Sequence, residues 1–215
     1  MNNQKSKIVI IGGGGHARVI YSIIRKSKTF DYLGYIDIKK DNTLPDFLGN
    51  DEFALGTLEK GQNIVIGISY VNSIYDTIRK EIIEKYVLSN MFNYPSIISE
   101  NSIIEDDVKI GSGTVIVNGA TANTGTVIGE FCVVNTNATI DHNCRIGRNT
   151  QIAPGAVILG DVSIGDDVFI GAGSIVLDGV NISNNIIVGA GSLVTNNLLE
   201  AGVYVGRPVR KIRKL

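Results

Sequence analysis

The stretch VIGEFCVVNTNATIDHNCRIGRNTQIAPGAVI, residues 127–158, carries an aliphatic residue at every sixth position, and this spacing predicts the fold of most of the chain. The phase runs without insertion from Ile98 to Val194, and all seventeen positions of the series are aliphatic. Two residues before most of them stands a small or β-branched residue, such as Ala138 or Thr150. An α-helix repeats every 3.6 residues and a strand every two, so neither can keep this phase over such a length.

The structure that satisfies a six-residue period is a parallel β-helix with flat faces. Each period turns one corner, and the aliphatic residue points inward and stacks on its equivalents in the neighbouring coils. Each buried isoleucine contributes about 1.5–3 kcal/mol, so the column is expected to be the main stabilising element. Glycine often follows the aliphatic residue directly, and we expect these glycines to supply positive φ at the corners; they stand at positions 111, 129, 147, 165, 171 and 189.

The first part of the chain follows a different pattern, in which apolar strands alternate with helices. Strands separated by helices indicate a parallel sheet with right-handed crossovers, the small Rossmann-like α/β class. We therefore predict an α/β domain over residues 1–95 and the β-helix over 96–215. The predicted strands are 7–11, 32–37 and 63–68, the predicted helices are 16–27 and 73–86, and a short further segment lies near 52–59.

The composition excludes several classes of partner. The 20 lysine and arginine residues nearly balance the 21 aspartate and glutamate residues, for a net charge of −1. Such a chain lacks the strongly positive field that nucleic acid or an anionic membrane attracts. The basic segment RPVRKIRKL (207–215) is interpreted as a solvated terminus. The apolar run near the start is too short for a signal peptide or a membrane span, so we expect a cytoplasmic protein.

The loop GGGGHA (12–17) joins the first predicted strand to the first predicted helix. Backbone N–H groups and a helix N-terminus hold phosphate at this position of such folds. Gly12, Gly14 and Ala17 match the relaxed dinucleotide fingerprint, but a nicotinamide-dependent dehydrogenase would need a larger cofactor domain and a separate catalytic domain. The better interpretation is a half-sized nucleotide-binding unit that grips a nucleotide-linked sugar.

Three short motifs, followed by the six-residue repeat, resemble one known family. GGGGHA, GYID (34–37) and VIG (65–67) match its patterns G-x-x-G-H-[AGS], G-[YF]-[IL]-D and [AV]-I-G. The chain is similar over essentially its whole length to the NeuD/PglD-type sugar acetyltransferases. That family includes acetyltransferases of UDP-4-amino sugars, of perosamine and of sialic acid. The resemblance implies a left-handed β-helix, a homotrimer, and acetyl-coenzyme A bound in the cleft between two subunits.

The resemblance also implies a set of nucleotide-sugar contacts. Residues of the glycine loop would contact the phosphates, two residues after the second strand would lie near the base or ribose, and one would line the base pocket. In that order they are Gly14, Gly15 and His16, then Asp37 and Ile38, and finally Ile66. For His16 an alternative stays open, in which it is an ordinary residue of the first helical turn satisfied by the backbone.

One histidine of the β-helix stands where the family places its catalytic base. His142 would remove a proton from the attacking nitrogen, a task suited to imidazole near neutral pH. Asp141 or another carboxylate could hold its tautomer, and Asn143 follows where many relatives carry an acidic residue. The remaining implied contacts are Asn135 for the sugar or the histidine, Gln151, Gly160, Ala172 and Ala190 for acetyl-coenzyme A, and Arg207 or Arg210 for coenzyme A phosphates.

Together these features predict an acetyl-coenzyme A-dependent N-acetyltransferase that acts on a nucleotide-linked 4-amino-4,6-dideoxyhexose. A sialic acid O-acetyltransferase and a non-catalytic β-helix scaffold are the alternatives. Direct transfer is expected because Cys132 and Cys144 fall on the small inward position of the repeat, where cysteine is a buried hydrophobe. No metal is expected, since a zinc site on such coils needs three histidines and only His142 is available.

Overall fold

The computed structural model describes residues 5–40, 43–69 and 76–214. The chain divides into two compact units, Met1–Glu100 and Asn101–Leu215. The first unit alternates strands and helices, in the order β1 (Ser6–Ile11), α1 (Gly15–Ile24), β2 (Phe30–Ile36), β3 (Phe47–Gly49), α2 (Asp51–Thr57), β4 (Asn63–Ile66), α3 (Asp76–Leu88) and β5 (Ile97–Ile98).

The first four strands form one sheet in the order β3-β2-β1-β4, and every pairing in it is parallel. Ile11 at the end of β1 lies opposite Ile36 of β2 and Ile66 of β4. The direction of winding reverses at β1, which creates a crevice at the carboxyl ends of the strands. The predicted parallel α/β fold is confirmed, whereas β3 was not predicted. Of the predicted helix 73–86, residues 73–75 lie outside the described residues and the rest belongs to α3.

Helix α1 packs closely on the sheet because Gly67 has no side chain. A Cβ on Gly67 would lie 2.6 Å from Cγ2 of Ile10 and 2.9 Å from Cβ of Ala17. The small pair Ala17 and Gly67 therefore brings the start of α1 against β4. Two positions of the sequence motifs thus serve packing and place the glycine loop at the crevice.

The second unit is the left-handed parallel β-helix of hexapeptide repeats, as predicted. Its short strands are β6 (Ile103–Ile104), β7 (Lys109–Ile110), β8 (Val115–Ile116), β9 (Thr121–Ala122), β10 (Val127–Ile128), β11 (Val133–Val134), β12 (Thr139–Ile140), β13 (Arg145–Ile146), β14 (Gln151–Ile152), β15 (Val157–Ile158), β16 (Ser163–Ile164), β17 (Phe169–Ile170), β18 (Ile175–Val176), β19 (Asn181–Ile182), β20 (Ile186–Val188) and β21 (Leu193–Val194). Two longer strands follow, β22 (Gly202–Gly206) and β23 (Val209–Arg213).

Successive strands of the β-helix belong to three different sheets, here called the first, second and third faces. The first face contains β8, β11, β14, β17 and β20, extended by β22 and β23. The second face contains β6, β9, β12, β15, β18 and β21, and the third contains β7, β10, β13, β16 and β19. Each residue pairs with the one 18 positions later, as Val134 does with Ile152, so one coil is 18 residues. The corners between faces carry the turns.

The inward column is buried as predicted from Ile116 to Val194. The small residues two positions earlier, such as Cys132 and Ala138, are also fully buried. The start of the series departs from the prediction. Ile98 is 44% exposed, while Ile104 is only partly buried. The stack begins in this coil, so its residues have a neighbouring coil on one side only.

The corner glycines do not have the role predicted for them. Positive φ occurs at fourteen consecutive six-residue steps from Gly113 to Gly191, where glycine, asparagine and aspartate stand at every position except Phe131. The glycines that follow the inward aliphatic residues are a different set. A Cβ on Gly147 would lie 2.4 Å from the carbonyl carbon of Gly165 in the next coil. These glycines therefore permit close stacking of coils, and their predicted positive φ is wrong.

The basic C-terminal segment forms a strand, and its residues Arg207, Arg210 and Arg213 are exposed to solvent as predicted. Residues 209–213 form β23, which runs antiparallel to β22 and places Arg210 opposite Val205. The strand pair extends the first face beyond the last coil. Within the described part of the chain, every helix is too short or too polar to cross a membrane.

Candidate functional site

His142 lies at the corner between the second and third faces, after β12 and before β13. Its side chain is exposed, and the ring covers the backbone of Gly160 in the next coil. A Cβ on Gly160 would be 2.4 Å from Cε1 and 2.6 Å from Nε2 of His142. The imidazole can occupy this position only because residue 160 lacks a side chain. Two residues that the sequence assigned to one site are thus brought together.

The side chain of Asp141 holds the main chain of the turn that carries His142. Oδ1 of Asp141 accepts the N–H of His142 at 2.8 Å and an N–H of the Asn123 amide at 2.8 Å. The hydrogen bond from Asn123 is the main cause that lowers the pKa of Asp141, followed by the bond from the backbone of His142. Both bonds fix the turn, and neither partner is the imidazole ring. The role of Asp141 in orienting the ring stays a prediction, and the hydrogen bonds of its Oδ1 show that it holds the turn.

The side chain beside the ring is Asn143. Its Nδ2 lies 3.3 Å from Nδ1 of His142. Asn143 occupies a left-handed turn position, with φ of 59°, which asparagine and glycine adopt more readily than glutamate. Since the two ends of an amide are assigned from hydrogen bonding, its oxygen can equally accept Nδ1–H, which leaves the lone pair of Nε2 free.

Three other predicted residues share a different corner of the β-helix. Asn135, Ala172 and Ala190 follow β11, β17 and β20 and stand between the first and second faces. Oδ1 of Asn135 accepts the N–H of Thr136 at 2.8 Å, and both alanines are exposed. Within one chain this corner is separate from that of His142.

A cation stands beside this second corner. Nε of Arg207 donates to the carbonyl oxygen of Gly191 at 2.5 Å, directly after Ala190. Gln151 lies elsewhere, in the first face between Val133 and Phe169. Because Gln151 is only 4% exposed, it offers little surface to a cofactor in a single chain.

The glycine loop of the first unit presents an open helix N-terminus. Gly14 is the N-cap of α1 without a side-chain hydrogen bond, and no acidic residue stands in the first turn. A Cβ on Gly14 or Gly15 would meet nothing within 4 Å. The packing of the chain therefore does not require glycine here. Free space above a helix N-terminus suits an anionic group such as phosphate.

The carboxylate of Asp37 closes this loop. Its Oδ2 accepts the N–H of Gly13 at 2.6 Å, and its Oδ1 accepts the N–H of Ile38 at 2.6 Å. A carboxylate retains further acceptor positions, so these bonds leave room for a ligand hydroxyl. Ile38 is 93% exposed and free to contact a ligand, whereas Ile66 is 1% exposed and belongs to the core of the sheet.

His16 in the first turn of α1 has a buried Nε2 that finds no hydrogen-bond partner in the described structure. Burial, assisted by the charge of Arg79, lowers the pKa of His16 to about 3. The imidazole is therefore neutral near pH 7. Arg79 is itself buried and donates to the carbonyl oxygen of Ile68, just beyond β4. No sequence pattern pointed to Arg79, because arginine in a surface helix is normally solvated.

The side chains of the described residues do not meet the requirements of a metal site. Within residues 5–40, 43–69 and 76–214, no group of three or more histidine, cysteine, aspartate or glutamate residues could hold a metal ion.

Three family models match the chain. The PglD N-terminal domain matches residues 7–86, the bacterial transferase hexapeptide (six repeats) matches residues 125–160, and the hexapeptide repeat of succinyl-transferase matches residues 162–196. No curated protein sequence matches the chain. The three models cover both units and the turn that carries His142.

Solved structures of similar architecture span nearly the whole chain. The acetyltransferase domain of PglB from Neisseria gonorrhoeae FA1090 is 24% identical with a TM-score of 0.89, covering 97% of this chain and 100% of that chain. PerB from Caulobacter crescentus, in complex with CoA and GDP-perosamine, is 27% identical with a TM-score of 0.84, covering 97% of this chain and 98% of that chain. WeeI from Acinetobacter baumannii AYE is 22% identical with a TM-score of 0.75, covering 97% and 100%.

The fold and the matched repeats define an enzyme of the hexapeptide-repeat transferase class. Its first unit matches the PglD N-terminal domain and its β-helix matches hexapeptide-repeat transferases, so both parts of the chain are similar to those of the NeuD/PglD-type sugar acetyltransferases.

Proposed function

We propose that the protein transfers the acetyl group of acetyl-coenzyme A to the 4-amino group of a nucleotide-linked 4-amino-4,6-dideoxyhexose. The observation that carries this proposal is the exposed imidazole of His142, seated on Gly160 with Asn143 beside its Nδ1. The relative PerB, at 27% identity, is solved with CoA and GDP-perosamine, a sugar of this class. The product would supply surface polysaccharide or glycan synthesis in the cytoplasm.

His142 acts as the general base of the reaction. Its Nε2 takes a proton from the 4-amino nitrogen as that nitrogen attacks the thioester carbonyl carbon. The C–S bond then breaks, and the departing thiolate of coenzyme A takes the proton back from the imidazolium. Positioned acid–base catalysis of this kind contributes about 10²–10⁴-fold in rate. Backbone N–H groups near Gly160 are suited to stabilise the negative oxygen of the intermediate.

Transfer is direct, without an acetylated enzyme. The two cysteines, Cys132 and Cys144, are both fully buried in the inner column. Burial is the main cause that raises the pKa of the Cys144 thiol, which disfavours the nucleophilic thiolate. Both substrates are therefore bound together when the amine attacks.

The first unit holds the nucleotide-linked sugar. The diphosphate lies at the N-terminus of α1, where Gly14 and Gly15 leave open space. His16 meets the ligand as a neutral imidazole, so the positive charge near the phosphates comes from Arg79 and the helix dipole. Asp37 and Ile38 lie toward the ribose or base, and Ile66 supports the floor of the site from the core.

A homotrimer completes the acetyl-coenzyme A site. In one chain His142 and Gly160 stand at one corner of the β-helix, while Asn135, Ala172 and Ala190 stand at another. The two sets meet if the corner of one subunit faces the other corner of its neighbour. Arg207, and Arg210 in β23, would then approach the phosphates of coenzyme A, and Gln151 would support the cleft from the first face.

The decisive experiment is an acetyl-transfer assay with a panel of 4-amino sugars linked to UDP, dTDP and GDP, with CMP-sialic acid and free sialic acid added. Release of the coenzyme A thiol is followed, and each product is treated with hydroxylamine. An amide product resists hydroxylamine, whereas an O-acetyl ester is cleaved. Acetylation of a sialic acid hydroxyl alone would establish the O-acetyltransferase alternative. Absence of thiol release with every acceptor would favour a non-catalytic scaffold.

A further inference from the structure

One threonine in the inner column binds the main chain on both sides of the catalytic turn. Oγ1 of Thr126 donates to the carbonyl oxygen of Asp141 at 2.7 Å and accepts the N–H of Cys144 at 3.1 Å. His142 lies between these two bonded residues. Thr126 is fully buried, so its hydroxyl is unavailable to any ligand. Its two bonds tie the turn to the coil that precedes it.

The opposite side of the turn is tied by main-chain bonds. The N–H of Asn143 donates to the carbonyl oxygen of Thr124 at 2.9 Å, and the N–H of Asp161 donates to that of His142 at 3.0 Å. The side chain of His142 has a weaker restraint, since its ring contact with Asn143 is 3.3 Å long. The orientation of the ring over Gly160 therefore depends on the main chain of the turn.

In the described part of the chain the same hydroxyl arrangement occurs at three turns without a histidine, twice with threonine and once with Ser174, which donates to the carbonyl oxygen of Gly189 and accepts the N–H of Ser192. The bonds of the two threonines are those of Thr114 with the carbonyl oxygen of Gly129 (2.7 Å) and the N–H of Cys132 (3.0 Å), and those of Thr150 with the carbonyl oxygen of Gly165 (2.8 Å) and the N–H of Val168 (3.1 Å). Both threonines are fully buried. Among the described residues, three threonines and one serine therefore form equivalent clamps, and that of Thr126 holds the turn of His142.

We propose that Thr126 is a positioning residue for acetyl transfer, because its hydroxyl fixes the main chain on both sides of His142 and so the place of the ring above Gly160. The proposal rests on the proposed function of His142 as the base. A misplacement of a catalytic group by about 1 Å can cost about 10²-fold in rate. Loss of this hydroxyl should therefore reduce the chemical step, while the sites for both substrates stay intact.

The test compares Thr126→Val with Thr114→Val and Thr150→Val in the full-length protein. Each substitution removes one buried hydroxyl of the same geometry, so all three should lower the melting temperature to a similar extent. We expect Thr126→Val to lower kcat by about 10- to 100-fold with unchanged KM for both substrates. The two control variants should keep the wild-type kcat, and Thr126→Ser, which retains the hydroxyl, should restore activity.

Equal kcat values in the three valine variants would overturn the proposal, and so would a loss that appears in KM alone. If Thr126→Val does not fold, Thr126→Cys is tested instead, and Thr114→Cys is its control. A thiol is a weak hydrogen-bonding group, so the cysteine weakens the clamp. Thr126→Cys should then lose several-fold in kcat, and a wild-type kcat would overturn the proposal. If the wild-type protein acetylates no amino-sugar nucleotide, the proposed function fails. If the wild type is active and the Thr126 variants have the same kcat as the control variants, only the proposed role of Thr126 is overturned.

Discussion

Two turns of the molecule carry its two histidines, and the surroundings of the imidazole differ between them. His142 is exposed on a corner of the β-helix, above a glycine and beside an amide. In α1, Nε2 of His16 is buried, and the pKa of this residue is lowered to about 3. Both follow a strand, yet the side chain of His142 is exposed whereas Nε2 of His16 is not. Burial, rather than residue type, separates an acid–base group from a neutral contact.

The largest expected effect follows from removing the exposed imidazole. His142→Ala should lower kcat by about 10²–10⁴-fold while leaving acetyl-coenzyme A binding unchanged, because only proton transfer is lost. Steady-state kinetics and calorimetric titration of the cofactor measure the two quantities. Glu130→Ala is the matched control, since it truncates an exposed turn residue at another corner of the same β-helix. A near wild-type rate in His142→Ala would remove this residue from the mechanism.

The contact between the His142 ring and Gly160 can be tested without substituting the histidine. In Gly160→Ala the new Cβ would lie 2.4 Å from Cε1 of His142, so the ring must shift. We expect kcat to fall by about 10²-fold with little change in melting temperature, because the flexible side chain yields rather than the backbone. In the double variant with His142→Ala, Gly160→Ala should cause no further loss of kcat. An additive loss would show that Gly160 acts independently of His142.

His16 should make the free energy of unfolding depend on pH. Burial and Arg79 hold the pKa of His16 at about 3, below the unfolded value of 6.5. Between these values the unfolded chain binds the extra proton, so the free energy of unfolding falls as the pH drops below 6.5. The contribution between pH 7 and pH 5 is about 2 kcal/mol.

His16→Gln should abolish this part of the dependence. Urea unfolding at pH 7 and pH 5 measures it as the difference between the two free energies, which should be smaller in the variant. Comparing differences within each protein removes any packing loss common to both pH values. The same difference in wild type and variant would show that His16 is solvated in the folded protein.

The open helix N-terminus should respond to a single methyl group. Gly15→Ala places a Cβ in space that the protein leaves empty, so the fold is retained but a bound phosphate would be displaced. We expect KM for the nucleotide sugar to rise by about tenfold, as for loss of one charge-assisted hydrogen bond. Gly56→Ala is the control, because Gly56 is an exposed helical glycine whose Cβ also meets nothing within 4 Å. An equal KM in both variants would argue against phosphate binding at α1.

The smallest expected effect concerns the amide beside the active imidazole. Asn143→Asp places a carboxylate next to Nδ1, which favours the protonated ring, so the acidic limb of the kcat/KM profile should move up by about one pH unit. Asn185→Asp is the control, since Asn185 occupies the same left-handed conformation at another corner, with φ of 57°. An unmoved limb in Asn143→Asp would show that the neighbouring side chain does not contact the ring during turnover.

Much of the fold could be predicted from the sequence because the repeat constrains it at every sixth residue. The inward series requires stacked coils, and any one-residue shift would expose the whole column to water. The two ends of the β-helix were less predictable. Ile98 keeps the spacing but is 44% exposed, since residues at the start of a stack have one neighbouring coil. The basic segment forms β23 because β22 offers it a free edge, which a charge pattern does not reveal.

The sequence predicts a catalytic role for His142 from its residue type, and the structure places this side chain at an exposed corner. Its supporting residues were not predictable. Asn123 and Thr126 act on the turn from the preceding coil, 18 and 16 positions before Asp141 and His142. Neither spacing suggests a contact until the length of one coil is known. The sequence did not show that Oδ1 of Asp141 accepts the N–H of His142 and so holds the main chain of the turn.

Periodicity and glycine-rich motifs are properties of neighbouring residues, so they were enough to predict the β-helix and the α/β unit before it. The folded structure was needed to show that Nε2 of His16 is buried, which together with Arg79 lowers the pKa of His16, and that the ring of His142 rests on Gly160 in a turn clamped by Thr126. The physical reason is that solvation and hydrogen bonding depend on atoms from distant parts of the chain. Those atoms become neighbours only when the coils stack and the helix packs on its sheet.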